Sequence, residues 1–152
     1  MAMTETLATE RVIWRLHADK LMLIHDNNVH TAMLGFQTVA NWFNQNPPSS
    51  LDIEYAIQSI EDGLSPLRAA LPAQAEFYSD DVMLNALFER LGIRHAPLSR
   101  EQLEADFDLI MQNLNRPTAM ANMDLQKTAI AYELVLREAM HHLNIAALHR
   151  GI

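Results

Sequence analysis

Five apolar residues between Ser99 and Asn115 recur at the spacing of one helical face, and this constrains the fold most. Leu103, Phe107, Ile110, Met111 and Leu114 fall at i, i+4, i+7, i+8 and i+11. Ser99 and Gln102 supply an S-x-x-Q capping box, Leu98 and Leu103 a hydrophobic staple, and Pro117 ends the pattern. Similar spacing marks Ser79–Leu91, where Ser79 caps and Asp80 and Asp81 favour the first-turn dipole. Gly92 follows it, and Ile93 is placed to pack back on Phe88. Pro47-Pro48 and then Ser49 or Ser50 open another helix, which stops at Gly63.

Longer helices are expected elsewhere. One runs from Thr4 to Asp26, and Asn27-Asn28 connects it to a second over Val29–Asn46. The last runs from Asp124 to Arg150 and is apolar on most sides, which suits a bundle centre. Ser65–Tyr78 reads as a connector with a short turn at Leu67–Leu71, and Asn115–Met123 as a loop. The expectation is one all-α domain over residues 1–152. It is a bundle of about five main helices with the last near its axis.

Composition narrows the function classes. Apolar residues at 49% exclude disorder, and the absence of Cys excludes disulfides, Fe–S clusters and thiol catalysis. The formal charge of −8 opposes nucleic acid and anionic lipid as partners. The whole excess lies in residues 51–108, which read as a solvated acidic face. Met1–Leu7 lacks a signal-peptide pattern, so the expected compartment is cytoplasmic. Asn27–Leu51 is uncharged but too rich in Asn and Gln to span a membrane.

Motifs for catalysis are missing. The glycines stand alone at 35, 63, 92 and 151, so no phosphate loop is spelled out. Neither G-x-S-x-G nor H-E-x-x-H occurs. The helix-turn-helix pattern near Gly92 puts Glu101, Glu104, Asp106 and Asp108 where a groove-reading helix needs cations.

Two constellations remain. Glu138 and His141 share a helical face, with His142 adjacent, and these three are the candidate metal ligands. A di-iron bundle would need a second Glu-x-x-His, which the sequence lacks. His17, beside Trp14 on an apolar stripe, is a candidate ligand-binding or acid–base residue.

The charge-free stretch Val29–Asn46 has the composition of an interface centre. Its candidate contact residues are Met33, Phe36, Gln37, Ala40, Trp42 and Phe43, with Trp42 as anchor. The leading expectation is therefore a non-catalytic interaction or regulatory protein, homodimeric or bound to a protein partner, with no cofactor. One alternative is a small-molecule- or metal-binding bundle using His17, Glu138, His141 and His142. The other is an enzyme with an unrecognised all-α active site.

Overall fold

Residues 9–151 are described by the computed structural model, which replaces the all-α bundle with an α/β fold. β1 (Glu10–Leu16), β2 (Leu21–His25) and β3 (Asn28–Ala32) form an antiparallel meander. Then come α1 (Phe36–Trp42), α2 (Ser50–Leu64), a 3-10 turn (Ser65–Ala70) and β4 (Ala75–Ser79). α3 (Val82–Leu91), β5 (Leu98–Ser99), α4 (Arg100–Asn113), α5 (Pro117–Met123), α6 (Lys127–His142) and β6 (Ala147–Arg150) complete the chain. The six strands make one mixed sheet in the order β3-β2-β1-β4-β6-β5. β1, β4 and β6 run parallel, so their carboxyl ends share one edge.

The expected helix Thr4–Asp26 is thus corrected to two strands, with residues 4–8 outside the described part. Val12, Trp14 and Leu16 alternate into the core, as do Leu21 and Leu23. Ile13, Met22 and Ile24 on the opposite face are half-buried. Apolar residues on both faces blur the period of 2, and a blurred strand imitates helical spacing. Asp26, at φ 53°, makes the tight turn of the β2–β3 hairpin. Asp tolerates that left-handed conformation better than most residues.

The expected helix Val29–Asn46 is likewise β3 followed by the short α1. The expected helix Asp124–Arg150 ends at His142, and its tail is β6. Asn144 stops it, taking φ 56° while the Ile145 amide donates back to the Met140 carbonyl at 2.9 Å. Asn115–Met123 is not all loop, because Pro117 opens α5. α4 keeps its capping box, Ser99 Oγ accepting from the Gln102 amide at 3.1 Å.

α6 is the hub of the helical layer, with α1, α2 and α4 packed on it. Ten of its sixteen residues are buried, and Tyr132 meets Trp14 on β1. It covers a sheet rather than lining a bundle axis. Among the described residues, no helix is long and apolar enough to cross a membrane.

Candidate functional site

Open parallel sheets bind ligands beyond the carboxyl ends of their strands. Here that edge carries a cleft of about 470 Å³, lined by Arg15, His17, Phe36, Asp80, Asp81 and Met83 among others. The β1–β2 turn forms one wall and is fastened to α1. The Phe36 amide donates to the His17 carbonyl at 3.1 Å. The amides of Gln37 and Thr38 both donate to the Ala18 carbonyl, at 2.9 and 3.2 Å. The α1 amino terminus is thus satisfied from within, and charge in the cleft comes from side chains.

Asp81 is the polar centre of this edge. It directly precedes α3, where an Asp usually caps the helix amides, yet its side chain caps nothing. The carboxylate turns to β1 instead. Its Oδ2 accepts from the Leu16 amide at 2.9 Å and from the Tyr132 hydroxyl at 2.7 Å. The Tyr132 oxygen in turn accepts from Trp14 Nε1 at 3.2 Å. Among the described residues no hydrogen bond engages Oδ1. Burial pushes the Asp81 carboxyl above the usual carboxylate range, against the opposing pull of the Leu16 amide, Tyr132 and His17. Tyr132 is pushed well above the usual phenol range, first by burial and then by the Asp81 charge. The hydroxyl therefore stays protonated and holds Asp81 in one orientation.

This chain of donors makes Tyr132→Phe informative. It strands the buried Trp14 N–H and removes one donor from Asp81. A loss of about 1–3 kcal/mol is expected in denaturant unfolding. Trp14→Phe opens a cavity of its own at a fully buried position, so the two losses should be less than additive in a double-mutant cycle; strictly additive losses would mean the relay is not coupled.

Among the residues singled out from sequence, His17 lies in the cleft and is exposed. It is not brought to His141 or His142, which line a different groove. Glu138 and His142 do meet, with Nε2 3.3 Å from Oε2, but His141 turns to Glu104. Ala40 and Phe43 are buried in the chain's own core, and Phe36 packs its ring 6.3 Å from that of Tyr132. Gln37 donates to Asn41 at 2.8 Å. Met33 and Trp42 are 70% and 38% exposed.

Arg15, Asp81 and Tyr132 were not singled out from sequence as site residues. A usable signal was present in Ala75–Ser79, where Phe77 and Ser79 alternate inward before the acidic pair opens α3. A strand running through Asp-Asp into a helix marks a strand-end site, provided the strand is recognised.

The sequence matches no known family profile and no curated protein. Solved structures do resemble the fold. The Ppx/GppA family member of Aquifex aeolicus superposes with a TM-score of 0.75 at 11% identity, over 93% of this chain and 52% of that one. An exopolyphosphatase-like protein gives 0.72 at 9% identity, over 99% and 56%. An exopolyphosphatase from Cytophaga hutchinsonii ATCC 33406 gives 0.64 at 13% identity, over 94% and 53%. This chain spans about half the length of these neighbours, and the likeness shows the fold. It overturns the expectation of a non-catalytic regulatory helical bundle, because the architecture is one that enzymes use. The enzyme alternative is better backed, with its all-α site replaced by a strand-end cleft.

Proposed function

We propose that this chain is a hydrolytic domain for a phosphoanhydride or phosphate ester, with its substrate in the strand-end cleft. The observation that carries the reading is Asp81, oriented through Oδ2 by buried donors while Oδ1 is left for a reacting group. Oδ1 takes a proton from water as that water's oxygen attacks phosphorus, and the phosphoryl–oxygen bond to the leaving group breaks. A carboxyl raised by burial is a stronger base than an exposed one. Arg15 lines the same cleft and supplies positive charge for phosphoryl oxygens, and His17 beside it offers an imidazole to hydrogen-bond them. The substrate class draws support from neighbours described as a Ppx/GppA phosphatase and an exopolyphosphatase.

Phosphate release from inorganic polyphosphate and from a nucleoside triphosphate tests the proposal. Wild-type protein is expected to release phosphate, with a rate that climbs as Asp81 loses its proton, above the usual carboxylate range. Asp81→Asn keeps an oxygen for Leu16 and Tyr132 but cannot take the proton. It should slow release by about 10²-fold or more with unchanged circular dichroism. Wild-type protein that releases no phosphate, or an Asp81→Asn variant of full activity, would refute this assignment.

A further inference from the structure

A second cluster lies between α2 and α6 and does not depend on the hydrolase reading. We propose that Glu61, Glu138 and His142 bind a divalent transition cation of the zinc class, pinning α2 to α6. His142 Nε2 stands 3.2 Å from Glu61 Oε1 and 3.3 Å from Glu138 Oε2, and all three donor atoms lie within 4.8 Å of one another. Donors bonded at ~2.0–2.2 Å to a tetrahedral zinc stand about 3.3–3.6 Å apart. A charge-assisted hydrogen bond would draw the nitrogen and oxygen to ~2.7–2.9 Å. The two spacings from His142 are therefore close to the edge of a coordination tetrahedron, and the carboxylate oxygens lie within 4.8 Å of each other.

The chemistry of the set agrees. One imidazole with two carboxylates suits zinc and its neighbours, whereas magnesium and calcium favour an all-oxygen shell. The Glu138 side chain is only 5% exposed and is held in place by its ion pair with Arg137. Its Oε1 is already taken by Arg137 Nη1 at 2.7 Å, an outer contact that orients the carboxylate and leaves Oε2 for the ion. Arg68 Nε donates to the His142 carbonyl at 2.9 Å and fixes the residue carrying the imidazole. The His142 and Glu61 side chains are each about a third exposed, which leaves an ion a path from solvent and water as its fourth ligand. His141 belongs to a separate pair with Glu104, so the structure exchanges it for Glu61 in the ligand set.

Tag-free protein stripped with EDTA and titrated calorimetrically with zinc chloride tests the site. One equivalent of zinc is expected to bind and to raise the melting temperature. His142→Ala and Glu61→Gln should each weaken uptake at least ~10-fold, while His141→Ala leaves it unchanged. His142 and Glu61 are a third exposed, so both variants are expected to fold even where Glu138→Gln does not. No saturable uptake, or uptake that survives His142→Ala, would overturn the proposal. Equal loss in His141→Ala would also overturn it, since that marks binding by scattered surface histidines.

Discussion

Arg90→Ala is expected to cost about 3–5 kcal/mol of folding stability, because it strips the only cation from a buried triad. Arg90 Nη1 and Nη2 fork onto Asp106 at 2.7 and 2.6 Å, and Nη2 also reaches Glu133 Oε2 at 3.0 Å. The Asp106 and Glu133 side chains are 5% and 3% exposed. Burial pushes the Glu133 carboxyl up to about 9, and the neighbouring Asp106 adds to it. Burial opposes ionisation of Asp106 too. The hydrogen bonds from Glu133 and Arg90, with the Arg90 charge, still hold Asp106 below its ordinary value. One proton therefore serves two carboxyls, and it sits on Glu133. Glu133 Oε1 is buried without a conventional partner, as expected if it carries that proton toward Asp106. Without Arg90, the ionised Asp106 is left desolvated with no counter-charge, held only by the Glu133 proton. Urea unfolding at neutral pH measures the cost, and a change below about 1 kcal/mol would mean that water enters and solvates the pair.

The same proton sets the sign of the pH dependence. An unfolded Glu ionises near its ordinary 4.5, whereas folded Glu133 keeps its proton to about 9. Between those values the folded state holds the extra proton, so this group's contribution to stability falls as pH rises. Glu133→Gln supplies a permanent donor to Asp106 and an acceptor to Arg90. It should flatten the slope and gain on the order of 1–3 kcal/mol near pH 8. A slope unchanged in Glu133→Gln would place the titrating group elsewhere.

Helix-forming signals that depend on local chemistry were legible in the sequence. The capping box of α4 forms as hydrogen bonds, Ser49 caps α2, and Gly92 takes φ 71° while the Ile93 amide donates back to the Phe88 carbonyl at 3.0 Å. In β1 and β2 the strand signal was not legible, and the reason is apolar residues on both faces. In β1 the sequence Val12-Ile13-Trp14 places an inward, an outward and another inward residue side by side, all apolar. Periodicity needs contrast between faces, and this strand offers little. β6 is only four residues long and has half-turn chemistry at Asn144 before it, so it reads as more helix.

That one error hid the site. His17 was visible as a polar residue among apolar ones, but a helix placed it on a bundle stripe rather than at a strand end. Asp81 looked like a first-turn anion because an acidic residue before a helix ordinarily is one. Only the sheet shows that β1 and β4 run parallel, which brings the Leu16 amide to Asp81 across sixty-five residues. The metal candidates fared differently. Glu138 and His142 are neighbours on one helix, a local relation, whereas Glu61 joins them by tertiary packing that spacing does not reveal.

Gly35→Ala should be as damaging as any core truncation, although Gly35 sits at neither a turn nor a positive φ. Its φ of −97° and ψ of 166° suit any residue, so the demand for glycine is one of space. A Cβ there would lie 2.0 Å from the Ala18 carbonyl oxygen and 2.2 Å from the Asp19 amide nitrogen. Both are backbone atoms, so no side-chain rotation relieves the clash. The Ala18 carbonyl cannot withdraw without losing its bonds from Gln37 and Thr38, and those bonds fasten the His17 turn to α1. Overpacking usually costs about 1–3 kcal/mol, and against fixed backbone the upper end or beyond is expected. At ~2–4 °C per kcal/mol for a chain of this size, the melting temperature should fall by roughly 6–12 °C. Gly92→Ala is the contrast. Gly92 has the left-handed φ of 71° but open space around its Cβ, so only about 1 kcal/mol is at stake. Thermal unfolding of the two variants separates space from conformation as the reason for glycine. If Gly35→Ala melts no lower than Gly92→Ala, the turn is free to retreat from α1. The cleft wall that carries His17 would then be adjustable rather than built in.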